Sequence, residues 1–148
     1  MKTKFGVLKA VVAGAAGLLA LQAQADVIKN AVRIGSHQVT ASASLLPLTT
    51  GGATAVTFTG SGKFTIFYTA ECASSAYVGI DIYVDGVALA PTGNNVQDSF
   101  CDPDTRGAMH TATARTNTLL SGTHTVFIQA GRSEGEAYLS DSSLLIAK

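Results

Sequence analysis

The amino-acid sequence predicts an all-β fold, an antiparallel β-sandwich that follows a cleavable signal peptide. Short runs of alternating apolar and polar residues recur after residue 26, and clusters of Gly, Asn, Asp or Ser separate them. No segment beyond that residue carries apolar side chains at the i, i+3, i+4 and i+7 spacing of an amphipathic helix. Several short strands divided by turns are typical of sandwiches and barrels.

The first 25 residues have the parts of a secretory signal peptide. Three lysines lie near the start, residues 11–21 are apolar, and Ala23-Gln24-Ala25 has the small-x-small form of a cleavage site. A membrane anchor is the alternative, but this apolar run is well short of the roughly 20 residues that span a bilayer. We therefore expect a mature chain that starts at Asp26 and is secreted or periplasmic.

The mature chain, residues 26–148, has the length of one domain with one core. The full sequence has 10 basic and 10 acidic residues, and the signal peptide contains three of the basic ones and no acidic one. The mature chain is therefore slightly acidic. Nucleic acids and anionic membranes select basic surfaces, so neither is an expected partner. No later apolar run is long enough to form a transmembrane segment.

The alternation places strands along the whole mature chain. Pro47 has no amide hydrogen to donate to a ladder, so the segment around it is not expected to be a central strand. Gly60-Ser61-Gly62 and Ser121-Gly122 are expected to be turns. The predicted strands are residues 27–34, 38–44, 54–59, 63–70, 77–84, 96–100, 108–117, 123–130, 137–139 and 143–147.

The clearest strand is formed by residues 77–84, and the sequence predicts that it lies at the centre of the domain. Four aliphatic residues, from Val78 to Val84, alternate with Gly79, Asp81 and Tyr83, as in a strand with one buried face. Asp85-Gly86 follows directly and is a strong signal for a two-residue hairpin turn, because both positions need a positive φ.

Two cysteines, Cys72 and Cys101, flank this hairpin. An exported chain with an even number of cysteines is expected to form a disulfide. A metal site is the alternative, but the two cysteines lack the CxxC spacing of such sites. The sequence therefore predicts a Cys72–Cys101 bridge.

The sequence contains one catalytic pattern and three isolated histidines. Residues 131–135 match the G-x-S-x-G pattern around Ser133, which requires a strand before it and a helix after it. Since another short strand is predicted to follow, a hairpin turn is the favoured interpretation. His37, His110 and His124 have no metal-site spacing, and His124 is expected on a solvent-facing strand position. A Ser-His-Asp triad assembles from distant positions, so a hydrolase remains an alternative, although a non-enzyme is expected.

Asp98, Asp102 and Asp104 cluster around Cys101 and could supply oxygen ligands to calcium. The Gly and terminal Glu of an EF-hand loop are absent there, so turn-forming aspartates are the favoured interpretation. No metal or other cofactor is expected. Tyr77 and Tyr83 could form a platform for sugar stacking, but about 20 Å of strand separates them. Cross-strand packing or a subunit contact is therefore preferred for these tyrosines.

The layout of residues 54–147 resembles the C1q/TNF-like jelly-roll domains. Phe58-Thr59, Gly62 and the strand from Phe64 to Tyr68 are similar to the F-T…G-x-Y-x-F-x-Y strand of that family. Val84-Asp85-Gly86 resembles its next strand and turn. The run LLSGTHTVFI, at residues 119–128, and the apolar end at residues 143–146 resemble its last strands. The resemblance implies a jelly-roll sandwich, often trimeric, that binds and does not catalyse.

These observations together predict a secreted, non-catalytic β-sandwich protein that acts in extracellular binding or assembly, with a homo-oligomer as one form of that assembly. A carbohydrate-binding module is one alternative. A pilus or adhesin-type subunit is another, although such subunits end in an aromatic-containing strand motif, and this chain ends in Ile146-Ala147-Lys148. The ligand and the oligomeric state do not follow from the sequence.

Overall fold

The structure is a computed structural model that describes residues 26–89 and 99–148. The predicted signal peptide, Asp98 and most of the predicted strand at residues 96–100 lie outside the described residues. No helix within the two described segments is long and apolar enough to cross a membrane.

The described residues form strands that alternate between buried and more exposed positions. In the long strands on either side of the three-residue link at residues 75–77, nearly every second residue is buried, as expected for strands with one face on a core. The strands are β1 (Val27–Arg33), β2 (His37–Gln38), β3 (Ser44–Leu45), β4 (Ala55–Gly62), β5 (Thr65–Ser74), β6 (Val78–Val84), β7 (Val87–Ala88), β8 (Thr105–Arg115), β9 (Leu119–Arg132) and β10 (Ala137–Ala147).

These strands form two antiparallel sheets that pack face to face. Sheet A has the order β1-β10-β5-β8, and β2 also pairs with β10. Sheet B has the order β3-β9-β6-β7, and β4 also pairs with β9. The predicted fold class, an all-β antiparallel sandwich, is confirmed.

The pairing is nested, which explains the jelly-roll arrangement. β6 pairs with β7, β5 with β8, β4 with β9 and β1 with β10, so each pair encloses the one before it. The strands thus pair as one long hairpin whose tip is the Asp85-Gly86 turn. Successive pairs lie alternately in sheet B and sheet A, and this wrapping of a single hairpin into two sheets produces the jelly roll.

The core lies between the two inner faces. Phe64, Ile66 and Tyr68 are fully buried on the side of sheet A, and the four aliphatic residues of β6 are buried on the side of sheet B. Each such side chain contributes about 1.5–3 kcal/mol of burial free energy. The shared inner face that the sequence predicted for these residues is confirmed. The turn also has the predicted geometry, with φ of 51° at Asp85 and 79° at Gly86.

The two predicted glycine turns at residues 60–62 and 121–122 are wrong. β4 continues to Gly62, β9 runs without interruption through Gly122, and Gly60 pairs with Gly122 across the two strands. A Cβ on Gly60 would lie only 2.7 Å from Cζ of Phe64. Gly60 is therefore glycine because an aromatic ring packs on its backbone, and not because the chain turns there.

Two other expectations about the strands are corrected by the topology. Residues 38–44 are not one strand, because they cross from β2 in sheet A to β3 in sheet B. The central strand of sheet B is β9, since it pairs with β6 on one side and with β3 and β4 on the other. Among the described residues, β6 has only the short β7 and a bridge from Val78 to Cys101 on its other side.

The predicted disulfide is present. Cys72 of β5 and Cys101 are bonded and fully buried, with a Cα–Cα distance of 6.0 Å. Cys101 also pairs with Val78 at the start of β6. The bridge therefore fastens sheet A to the beginning of β6 in sheet B.

Candidate functional site

An open cleft of about 300 Å³ lies on the outer face of sheet B. Its floor is formed by β6 and β9, where Gly79 pairs with Gly131 and Asp81 pairs with Gln129. Side chains on these positions point away from the core, because the alternating residues of both strands are the buried ones. The cleft is deep at the glycine pair, where no side chain rises from the sheet.

One wall of the cleft is the connector between β2 and β3, which contributes Ala41 and Ala43. A Cβ on Gly131 would lie 3.4 Å from the backbone nitrogen of Ala43, so glycine allows the connector to pack closely against β9. Arg132 fastens the same connector. Its Nε donates to the carbonyl of Val39 at 2.9 Å, and its backbone nitrogen donates to the carbonyl of Thr40 at 3.1 Å.

The lining of the cleft also includes Tyr77, one of the exposed large hydrophobic residues. Its backbone is held to the end of β9 by two hydrogen bonds. The amide of Tyr77 donates to Oγ of Ser133 at 3.0 Å, and the amide of Ser133 donates to the carbonyl of Tyr77 at 2.9 Å. These bonds therefore hold the backbone of Tyr77, and with it the position from which the ring extends, at the edge of the cleft.

An aromatic pair lies on the same outer face, two residues further along each strand from Asp81 and Gln129. Tyr83 of β6 and Phe127 of β9 are cross-strand partners on the same outer face, and their rings stack with centroids 4.7 Å apart and an interplanar angle of 9°. Half-buried side chains at both positions leave part of this surface open to solvent. The cross-strand packing expected for Tyr83 is confirmed. Along β6, the outer face thus presents Tyr77 first, then the polar floor of the cleft, and then the aromatic pair.

A second polar constellation lies at the hairpin tip, and there the sequence-based prediction for His124 is wrong. The residue is only 7% exposed. Its Nδ1 lies 2.7 Å from Oδ2 of Asp85, and its Nε2 lies 2.9 Å from the carbonyl of Leu120 and 3.2 Å from that of Gly60. All three partners are acceptors, so the ring satisfies them together only when both of its nitrogens are protonated.

The titration of this pair follows from its contacts. The hydrogen bond that His124 donates to Asp85 is the main cause that raises the pKa of His124, against an opposing effect of burial. The same hydrogen bond is the main cause that lowers the pKa of Asp85. The second cause is the amide of Thr125, which donates to Oδ1 of Asp85 at 2.8 Å. His124 has the same parity in β9 as the buried Val126, and this signal could have placed it inside.

The remaining predicted sites do not assemble into catalytic or metal-binding groups in the described residues. Ser133 lies in the hairpin between β9 and β10, so the G-x-S-x-G pattern is strand, turn and strand, as preferred from the sequence. Asp102 accepts a hydrogen bond from Oγ of Ser99, and Asp104 has a φ of 66°. Residues 26–89 and 99–148 contain no group of three His, Cys, Asp or Glu residues that could hold a metal ion.

The fold and the cleft define a disulfide-linked jelly-roll sandwich with an open polar site on one outer face. No protein-family model matches the chain, and no curated protein matches its sequence. The C1q/TNF-like resemblance therefore stays a prediction.

Several solved structures are similar to this chain at low sequence identity. A structure of infectious bursal disease virus, Gx strain, is 14% identical, with a TM-score of 0.44, and covers 83% of this chain and 33% of that chain. Dimeric latent PorU from Porphyromonas gingivalis is 13% identical, with a TM-score of 0.37, over 82% of this chain and 13% of that chain. The Cry4Aa toxin from Bacillus thuringiensis is 14% identical, with a TM-score of 0.29, over 76% of this chain and 23% of that chain. This chain thus spans a third or less of each of these proteins, and similarity at this level says nothing about what it binds.

Proposed function

We propose that this protein is an exported, non-catalytic binding module whose ligand occupies the cleft on the outer face of sheet B. The observation that carries the proposal is the cleft itself, with its glycine floor and with Asp81, Gln129 and Tyr77 around it. A solvent-open concavity with a few convergent polar groups is the usual form of a ligand site.

The chemistry of the lining favours binding over catalysis. Among the described residues that line the cleft there is no histidine or cysteine to act as a base or nucleophile. Ser133 uses its hydroxyl oxygen to accept a hydrogen bond from the amide of Tyr77. His124 lies elsewhere, with both ring nitrogens engaged by acceptors. A nucleophile needs an adjacent base, and the cleft brings none to Ser133.

The ligand class that fits this lining is a carbohydrate. Asp81 and Gln129 are cross-strand partners, so carboxylate and amide groups emerge side by side from the floor. Together they accept from and donate to hydroxyl groups. Tyr77 at one end, and the Tyr83–Phe127 pair further along, present aromatic surface against which the apolar face of a sugar can pack. About 20 Å of strand separates Tyr77 from Tyr83, which is too far for one monosaccharide to bridge but suits an extended oligosaccharide.

The proposal includes an extracytoplasmic location. The buried Cys72–Cys101 bridge is compatible with an oxidising compartment. Together with the signal peptide predicted at residues 1–25, it supports a ligand in the periplasm or outside the cell.

Binding of soluble oligosaccharides, measured by glycan array and then by calorimetry, tests the proposal. We expect Asp81→Asn and Tyr77→Ala each to weaken binding at least tenfold, on the order of the loss of one charged hydrogen bond or one stacking contact. Glu71→Gln is the matched control, because it neutralises a carboxylate on β5 in the opposite sheet. Equal effects of Asp81→Asn and Glu71→Gln, or no binding to any glycan, would contradict the proposal.

Assembly is the second candidate, and the edge of sheet A favours it. In the described residues β8 pairs only with β5, so its other side offers unpaired backbone groups along 11 residues, and Met109 there is 61% exposed. Light scattering after size-exclusion chromatography tests this, with a trimer expected if the C1q/TNF-like resemblance holds. A monomer at all concentrations would reject it. A pilus-type role is less favoured, because β1 already pairs with β10 of its own chain.

A further inference from the structure

The cleft on the outer face of sheet B contains two side chains of opposite charge. Asp81 lies on its floor beside the cross-strand partner Gln129, and Arg132 lines the end of the cleft near Tyr77. Since each strand residue advances the chain by about 3.3 Å, about 10 Å of strand separates Gln129 from Arg132. The two charged side chains can therefore contact different units of one extended ligand.

Backbone carbonyls hold the guanidinium of Arg132 in place. Its Nε donates to the carbonyl of Val39 at 2.9 Å, and its Nη1 donates to the carbonyl of Ser133 at 3.1 Å. These two bonds use two of the five N–H groups of an arginine. Within residues 26–89 and 99–148, Nη2 of the half-buried Arg132 donates no hydrogen bond. The planar group is thus fixed in orientation while part of its donor capacity is unused.

The positive charge at this end of the cleft has no counter-charge in the described segments. Arg132 forms no ion pair with any carboxylate of residues 26–89 and 99–148, including the neighbouring Glu134. Ser133 adds a neutral donor beside it. Its Oγ accepts from the amide of Tyr77 at 3.0 Å, and the hydroxyl hydrogen has no acceptor among the described residues. This end of the cleft therefore offers a fixed cation and an O–H donor to an acidic group.

We propose that the cleft selects oligosaccharides that contain a uronic acid and that the carboxylate of the sugar binds to Arg132. This inference rests on the proposed binding function and names its ligand class. A planar carboxylate matches the planar guanidinium and accepts charge-assisted hydrogen bonds, which are stronger than those between neutral groups. Hydroxyl groups of an adjoining sugar reach Asp81 and Gln129. Because Asp81 repels a carboxylate, the opposite charges also fix the direction in which the chain binds.

The test uses the wild-type mature chain and changes only the ligand. Calorimetry compares oligomers of galacturonate, mannuronate and glucuronate with the same oligomers after carboxyl reduction, which turns each carboxylate into a primary alcohol and keeps every linkage. We expect an acidic oligomer to bind at least tenfold more tightly than its reduced counterpart. Added sodium chloride should weaken binding of the acidic oligomer and leave the reduced one unaffected.

Arg132→Gln assigns the preference to a residue. The substitution removes the charge, and its side-chain amide can still donate to the carbonyl of Val39. Its affinity for the acidic oligomer should fall to that for the reduced one, whereas its affinity for the reduced oligomer should equal that of wild type. Arg115→Gln is the matched control, because it makes the same change at an exposed position of β8 in sheet A and should keep the preference. Urea unfolding checks that both variants fold.

The outcomes separate this inference from the proposed function. Equal binding of acidic and reduced oligomers by the wild-type protein would overturn the inference and leave carbohydrate binding intact. Tighter binding of sulfated neutral oligomers than of the uronic acid oligomers would overturn the choice of a carboxylate. An unchanged preference in a folded Arg132→Gln variant would mean that the carboxylate binds elsewhere. Failure of every oligosaccharide to bind would contradict the proposed function itself.

Discussion

Replacing Asp85 with Asn tests whether a protonated His124 ties the hairpin tip to β9. Asn still offers an oxygen to the amide of Thr125, and it tolerates the φ of 51° at this turn position. Its amide group can donate to Nδ1 of a neutral His124, whose Nε2–H then donates to the carbonyls of Leu120 and Gly60. The substitution therefore replaces a charged pair with a neutral one of nearly the same shape.

The charged pair of the wild-type protein makes its stability depend on pH. The pKa of His124 is raised above its ordinary 6.5, so its contribution is complete below pH 6.5 and is lost as pH rises through the folded-state pKa. The pKa of Asp85 is lowered below 3.8, so its contribution is present above pH 3.8 and is lost as pH falls through the folded-state pKa. The pair therefore stabilises the fold most between these two ordinary values. Since the Asp85 side chain is 44% exposed, solvent limits the gain to about 0.2–1 kcal/mol.

Urea unfolding followed by circular dichroism between pH 5 and pH 9 measures this difference. At pH 6 we expect Asp85→Asn to be less stable than wild type by about 0.2–1 kcal/mol. Near pH 9 the variant should equal or exceed wild type, because its neutral pair needs no protonated imidazole. His37 and His110 are present in both proteins, so their contributions cancel in the comparison.

Asp141→Asn is the control for this experiment. Asp141 also has a positive φ and accepts a hydrogen bond from a backbone amide, that of Gly35, but it has no histidine partner among the described contacts. Its effect should not change sign with pH. A stability difference between wild type and Asp85→Asn that stays constant from pH 5 to pH 9 would refute the role of His124.

Three further variants test the packing of the sandwich by urea unfolding. Replacing Cys72 and Cys101 with Ala should lower the free energy of unfolding by about 3.5 kcal/mol, because a separation of 29 residues closes a long loop; a loss under about 1 kcal/mol would contradict this. Gly60→Ala should cost about 1–3 kcal/mol, since its methyl group meets the Phe64 ring, and an unchanged midpoint would show that the ring moves aside. Ile82→Ala should cost about 2–5 kcal/mol because the side chain is fully buried, and a smaller loss would mean that the core closes around the cavity.

The candidate cleft was only partly predictable. Alternation correctly placed Tyr77, Asp81 and Tyr83 on the outer face of one strand, because side-chain direction in a strand follows from sequence parity alone. It gave no indication that Gln129 would lie beside Asp81, since that depends on the register between β6 and β9. The wall at Ala41 and Ala43 was also unforeseen. That segment is held in place by Arg132 through backbone carbonyls, and such contacts carry no sequence signature.

The burial of Arg33 and Ser142 in sheet A was missed for a similar reason. Residues 137–139 and 143–147 were predicted as separate strands, whereas they form one strand with a bulge between them. The bulge changes the parity of β10, so Ser142 faces inward although simple alternation from Leu139 would direct it to solvent. The guanidinium of buried Arg33 donates to the carbonyl of Leu139 across the sheet and to that of Gly35 two residues further on, and a pattern of hydrophobic residues does not report such bonds.

The sequence by itself determined the β class, the buried face of each long strand, the disulfide and the tip of the hairpin at Asp85-Gly86. Each of these depends on local properties: the two-residue period of a strand, the φ that a turn requires, and the redox chemistry of cysteine. Only the tertiary structure decided which strands pair, that the pairs are nested and alternate between two sheets, and that His124 is buried. These features depend on contacts between residues far apart in the chain, and their free energies exist only once both partners are in place.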